Sequence, residues 1–190
     1  VLTSPHEHVV ENCIKDLSIH GEVFDMMGLS RTPYNKINIH IGGAYGDKVS
    51  AMERFCENFH RLPDSVKSRL TVENDDKATM YSVKDLYEGV YCKIGIPIVF
   101  DYHHHRFCTG GLSEEDALEV AISTWGDVVP VVHYSESRNI EQEDDKIRPQ
   151  AHSDYVYDYI DTYDNRVDIM VEAKAKELAV IKYKELHECN

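Results

Sequence analysis

The chain has 190 residues, 42% of them hydrophobic, enough for one domain with a buried core. Its net charge of −14, taken alone, argues against a nucleic-acid partner, and no apolar run approaches the roughly 18 residues of a membrane span. The five cysteines are odd in number and form no CxxC pair, which fits a reducing compartment better than a disulfide framework. Nothing at the start reads as a signal peptide.

In chain order, Ser4-Pro5-His6-Glu7 reads as a capping box with proline in the first helical turn. Val9, Val10, Cys13, Ile14, Leu17, Val23, Phe24 and Met27 then recur at helical spacing, and Gly28 fits a C-terminal stop. Strand Lys36–Ile41 follows, with a glycine loop (Gly42, Gly43, Gly46) behind it. Val49–Leu62 is a helix whose inner face carries Met52, Phe55, Cys56 and Phe59; Cys13 and Cys56 read as core filling. A short turn or helix, Pro63–Arg69, leads to strand Leu70–Asn74. A second box, Ser82-Val83-Lys84-Asp85, opens helix Val83–Ile94, and strand Ile96–Tyr102 follows. A third box, Ser113-Glu114-Glu115-Asp116, opens a helix reaching Trp125. Strand Val128–His133 precedes a charged loop, Ser135–Gln150. Asp154–Tyr163 reads as partly helical, and strand Val167–Val171 with helix Ala173–Glu188 completes the series.

Apolar strands alternating with amphipathic helices predict a parallel sheet. Five strands are counted where a closed β/α barrel needs eight, and the first element is a helix with no strand before it. The expected architecture is therefore α/β, a partial TIM barrel with about five of its eight β/α units. It forms a single domain over 1–190, truncated at its N-terminal side.

Each strand ends on a polar side chain suited to metal binding. His40 closes the first, Glu73 the second, Asp101 the third with His104 three residues on, His133 the fourth, and Glu172 follows the fifth. Parallel strands that are polar only at their C-terminal ends describe the active-site face of a barrel. Imidazoles and carboxylates together describe a site for several divalent metals. Each residue also has a plainer reading. His40, among Ile37, Ile39 and Ile41, could be a satisfied core histidine. His103 and His105 could be supporting or solvated groups, and Glu172 could be a solvated first-turn glutamate. A buried Glu73 needs a cation or a donor.

The runs IHIGGAYGDK (39–48), VENDDK (72–77), VFDYHHHR (99–106), VHYSES (132–137), RPQAHSDY (148–155) and DIMVEAKAKE (168–177) resemble the UV-damage endonuclease family. SPHEHVVENCIKDL (4–17) resembles the helix that precedes them. The resemblance implies a β/α barrel distantly similar to endonuclease IV, with up to three divalent ions: manganese first, with zinc, magnesium or cobalt as substitutes. It implies hydrolysis of the phosphodiester 5′ to a UV photoproduct, a cyclobutane pyrimidine dimer or 6-4 product, in double-stranded DNA. The products are a 3′-hydroxyl and a 5′-phosphate. The implied ligands are His40, Glu73, Asp101, His104, His133, His152 and Glu172. Glu73 bridges two metals, His104 and His152 serve the third, and Glu73, Asp101 and Glu172 form the catalytic carboxylates. The implied whole protein is a monomer without membrane association, cytoplasmic or, in a eukaryote, nuclear.

Two features depart from the family pattern. The His-Pro-Gly-Gln segment, which supplies a further metal histidine and residues that probe damaged bases, does not occur in this sequence. Val131 stands where the family commonly carries a modified lysine. Two other functions remain open on the residues alone. One is a metal-dependent sugar isomerase or epimerase of the related barrel class, for which four histidines are many. The other is a metal-binding fragment without activity, whose open sheet edges favour association.

Overall fold

The computed structural model describes residues 1–187. Its centre is a parallel five-stranded sheet in sequential order: β1 (Ile37–Ile39), β2 (Leu70–Glu73), β3 (Ile98–Asp101), β4 (Val131–Tyr134) and β5 (Asp168–Val171). Around it run α1 (Glu7–Met26), α2 (Lys48–Phe59), α3 (Asp64–Lys67), α4 (Val83–Leu86), α5 (Cys92–Ile94), α6 (Tyr102–His105), α7 (Glu114–Ser123), α8 (Arg138–Glu141) and α9 (Glu177–His187). Sequential order with helical crossovers is the arc of a β/α barrel, as expected.

Side-chain alternation sorts the strands into two faces. Leu70, Val72, Ile98, Phe100 and Val132 are fully buried in the main core beneath the helices. Their neighbours Thr71, Glu73, Val99, Asp101, Val131 and His133 share the opposite face. Val99, Val131 and Trp125 form a small separate apolar cluster there, one layer below Asp101 and His133. Trp125 Nε1 donates to the Ile98 carbonyl at 2.8 Å, which ties the end of α7 to β3. Val131, at the position of the modified lysine, thus belongs to the apolar floor of the site.

Several boundaries move for identifiable reasons. The first capping box does not form. The N-cap of α1 is His6, and Ser4 Oγ instead accepts from the His6 amide. Residues 2 and 3 are held by α2, whose Asn58 and Arg54 donate to the Leu2 and Thr3 carbonyls, so the helix starts later than expected. Ser82 and Asp85 do form their reciprocal box, and Ser113 caps α7. The expected helix from Val83 to Ile94 is helical throughout but widens to a π turn at Tyr87–Tyr91. There Gly89 lies on Met52, and a Cβ on that glycine would come within 2.3 Å of Sδ.

The crossover from β4 to β5 departs most. The expected loop holds the single turn α8, whereas Asp154–Tyr163, expected partly helical, is irregular. Its amides are taken by side chains: Glu141 accepts from Asp154 and Tyr155, Glu136 from Tyr157 and Asp158, and Tyr183 from Ile160. Backbone satisfied in this way has no need of a helical ladder. Residues 174 and 175 donate to Ser153 and Asp154, and Lys176 is left-handed, so α9 starts at Glu177 rather than Ala173. The expected end of that helix, Glu188, lies outside the described residues.

At the end of the sheet away from the polar strand termini, Arg69 is fully buried. Its guanidinium donates to the carbonyls of Leu29, Ser30 and Ser65 and meets Asp25 at 2.8 Å. It joins α1, α3 and the start of β2 in one polar knot. Replacing it with methionine takes the donor from the buried Ser65 carbonyl and from the half-buried Leu29 carbonyl, each loss worth about 1–3 kcal/mol. Arg69→Met should therefore lower unfolding free energy by on the order of 3 kcal/mol in a urea melt. An unchanged midpoint would show that the knot contributes nothing.

Candidate metal centre

The site is assembled at the C-terminal ends of the strands. Because parallel strands present carbonyls and successive polar termini at one edge, a single layer of residues from each strand meets there. Glu73 is the last residue of β2 and is buried. Its Oε1 faces His104 Nδ1 at 3.1 Å and His40 Nε2 at 3.8 Å; its Oε2 faces His133 Nδ1 at 3.3 Å. The register places Asp101 directly beside His133 on the neighbouring strand. His133 Nδ1 also meets Glu172 Oε1 at 3.1 Å, and Glu172 Oε2 faces His152 Nδ1 at 3.6 Å.

Local structure explains how each group is held. Asp101 closes β3 and caps α6, its Oδ1 accepting from the His104 amide at 2.8 Å. The expected loop after Asp101 is thus one helical turn, and that turn carries His104 into the site. Asn74 substitutes for the next rung of the ladder: its amide accepts from Asp101 N and donates to Asp101 O. This side chain fixes the end of β3 against the end of β2, and hence Asp101 against Glu73. His152 arrives from the crossover, where an antiparallel bridge to Ser137 and bonds between residues 136–138 and 151–153 fix it.

Two groups of donor atoms lie within 4.8 Å of one another: His40, Glu73 and His104, and then Glu73, Asp101 and His133. Glu73 belongs to both. Glu172 joins through His133, and His152 through Glu172. His152 lies in neither group; its ring centre is 6.2 Å from that of His104. All seven expected residues therefore converge on one face.

The donor set suits a divalent cation. Asp101 is fully buried, yet its Oδ2 has no hydrogen-bond partner. A buried carboxylate oxygen without donor or cation is costly. With three carboxylates and four imidazoles among those seven residues and no thiolate, the site has the chemistry of a hard-to-borderline metal such as manganese or zinc.

Without a metal, protons take the cation's place. Burial opposes charge on His133, but the carboxylates of Glu172 and Glu73 outweigh it and raise its pKa to about 10. His104 is raised to about 9 against the same burial, by Glu73 and Asp101. Glu73 moves well below the carboxylate range because these imidazolium partners overcome its burial. Burial is the dominant influence on Asp101 and raises it to about 6. His103, expected to be supporting or solvated, is fully buried, and desolvation lowers it to about 4. It packs edge-on against the His152 ring, centres 5.6 Å apart. His105 is buried against Phe100. Neither is solvated.

Three participants escaped the sequence. Asn38 donates to Glu73 Oε2 at 2.6 Å and accepts from Thr71. Asn74 is described above. Asp75 Oδ1 lies 3.2 Å from His40 Nδ1. Strand alternation could have found Asn38, two residues before His40 on one face. The direct succession to Glu73 was the signal for the other two. His40 itself is half-exposed at the rim, not a core histidine.

The whole chain, residues 1–190, matches the sequence model of a family described as UV-endonuclease UvdE. The chain belongs to this family. A UV DNA damage endonuclease of Bacillus cereus (strain Q1) is 36% identical over 200 residues, covering 99% of this chain and 58% of that protein. One from Bacillus velezensis is 38% identical over 193 residues, covering 96% and 57%. The crystal structure of SacUVDE superposes with a TM-score of 0.83 at 34% identity, covering 99% of this chain and 62% of that one. The chain thus spans a little under three fifths of the length of these curated UvdE relatives. The fold shared with SacUVDE agrees with the partial barrel read from the sequence. No helix among the described residues is long and apolar enough to cross a membrane.

The charges of this cluster predict how the metal-free protein responds to pH. Glu73, lowered on folding, adds stability above its unfolded value near 4.5 and loses it as pH falls. His104 and His133, raised on folding, contribute fully below 6.5 and lose that contribution as pH rises through about 9 and 10. With metal chelated, the melting temperature of the wild type should therefore decline from mildly acidic to alkaline pH. Glu73→Gln, lacking the shared anion, should flatten that alkaline decline. Parallel melting curves for the two proteins from pH 6 to 10 would refute the assignment of these charges.

Proposed function

We propose that this chain carries the metal-binding core of an endonuclease for UV-damaged double-stranded DNA. It would act with up to three divalent ions, manganese foremost, and cleave the phosphodiester 5′ to photoproducts such as cyclobutane pyrimidine dimers and 6-4 products. The observation that carries the reading is the position of Glu73. One carboxylate belongs to two potential metal groups and is enclosed by three imidazoles, beside the unpartnered Oδ2 of Asp101. Family membership supports the nuclease reading over a sugar isomerase.

The ligands proposed are His40, Glu73, Asp101, His104, His133, His152 and Glu172. When bound, divalent ions at such a site supply an activated water and stabilise the attacking and leaving oxygens of in-line displacement at phosphorus. Glu73 holds its two oxygens apart, one toward His40 and His104 and the other toward His133, and Asn38 fixes that orientation. Asp101 and Glu172 supply the remaining negative charge around His133. Water attacks phosphorus, the bond to the 3′ oxygen breaks, and the products are a 3′-hydroxyl and a 5′-phosphate. A cleft of about 490 Å³ runs along His152 and Glu172, and Lys174 and Lys176 line it too. These two ammonium groups place positive charge where a phosphate chain would reach the carboxylate-rich centre of an otherwise acidic protein.

The test is nicking of UV-irradiated supercoiled plasmid with added manganese, by wild type and Glu73→Gln, with bound metal measured on both. Wild type should nick irradiated plasmid far more than unirradiated. The variant should lose at least one ion, and nicking should fall by more than the roughly 100-fold typical of losing a supporting group. Metal-loaded wild type that leaves irradiated DNA intact would end the proposal, as would a Glu73→Gln variant of full activity and metal content.

A further inference from the structure

His40 differs from the other imidazoles of the site. It stands at the rim with its side chain 43% exposed, on the residue after β1 and ahead of a glycine loop. An exposed ring there is free to turn unless something holds it. Its two nitrogens face different groups. Nε2 points at Glu73 Oε1, 3.8 Å away, a gap too long for a hydrogen bond. Nδ1 lies 3.2 Å from Asp75 Oδ1.

Asp75 is itself firmly placed. It is buried, its amide donates to the Tyr81 carbonyl at 2.8 Å, and its Oδ2 accepts from the Tyr81 amide at 3.3 Å. This two-way pairing closes the loop 75–81 and leaves Oδ1 directed at His40. Tyr81 is fully buried, and its hydroxyl donates to the Gly43 carbonyl. The loop after β2 is thereby bonded to the loop that follows His40, so the carboxylate and the imidazole belong to one cross-braced unit.

A carboxylate can only accept, so the nitrogen it faces must carry the proton. We propose that Asp75 is a positioning residue: it fixes His40 as the Nδ1–H tautomer, with the lone pair of Nε2 aimed into the gap toward Glu73, ready for a divalent ion. Carboxylate–imidazole pairs of this kind orient a ligating ring and raise its basicity. The inference rests on the proposed role of His40 as a ligand, whereas the tautomer can be observed without any metal.

Asp75→Asn tests it, because the amide is close in shape but offers both a donor and an acceptor. If its oxygen stays on the Tyr81 amide, its NH2 meets Nδ1 and drives the proton to Nε2, which closes the ligand position. Two measurements are made: nitrogen-15 NMR of the His40 ring in the metal-free protein at alkaline pH, where the ring is neutral, and calorimetric titration with manganese alone. In wild type Nδ1 should be protonated. In the variant the proton should shift toward Nε2, and manganese at the weakened site should bind about 10- to 100-fold less tightly. Adding Asp75→Asn to a His40→Ala background should cost no further affinity, since Asp75 acts through that ring.

A wild-type His40 protonated on Nε2 overturns the inference even if the variant does not fold. So does a tautomer shift without loss of affinity. Lost affinity with an unchanged tautomer, or an additive loss in the His40→Ala background, makes Asp75 a ligand in its own right and also overturns it. A wild type that binds no manganese at all defeats the metal-site reading instead, and the NMR result then stands by itself.

Discussion

The burial of Glu73 is the constraint to which the rest of the site answers. A carboxylate at the end of a central strand, closed off from water, must be surrounded by donors or cations. Asn38 supplies one donor from β1, and His104 and His133 approach from the turn after β3 and from β4. Those partners in turn dictate their own supports. His104 is delivered by the helical turn that Asp101 caps, and Asn74 sets the distance between the ends of β2 and β3. Around Glu73 each group is supported by the next, so the arrangement is held as one, because loss of any member leaves another buried without a partner.

The two ends of the sheet divide the work. At one end Arg69 gathers carbonyls from α3 and from the turn after α1 into a knot neutralised by Asp25, and Val99, Val131 and Trp125 make an apolar floor. At the other, acid and imidazole are concentrated without enough hydrogen atoms to satisfy them, as Asp101 Oδ2 shows. Stability is thus placed beneath the centre, and unmet coordination demand above it. The overall negative charge follows partly from this, since the carboxylates gathered at this end count as formal anions.

The irregular crossover from β4 to β5 shows how function displaces regular structure. A helix there would satisfy its own amides, whereas His152, just before it, is placed by its pairing with residues 136–138. Instead Glu136, Glu141 and Tyr183 receive the amides one by one, and the chain is free to fold back along residues 136–138 with His152 at the turn.

Much of this was legible in the sequence, for a physical reason. Short apolar runs between helical segments mark buried parallel strands, capping residues such as Ser82 and Ser113 mark helix starts, and a polar residue ending an apolar strand marks the open edge of the sheet. Those local signals sufficed for the five strands, their order, and the placing of His40, Glu73, Asp101, His133 and Glu172 on one edge. What they could not carry is whatever depends on contacts between distant segments. The late start of α1 depends on α2 holding residues 2 and 3, and the π turn on Gly89 meeting Met52. The loss of helix in residues 154–163 depends on carboxylates more than ten residues away. The roles of Asn38, Asn74 and Asp75 arise only when neighbouring strands are in register, because an amide or carboxylate acquires its meaning from the group it faces. The sequence by itself determined which residues stand at the strand ends. Only the tertiary structure decided which of them meet, at what distance, and which neighbours hold them there.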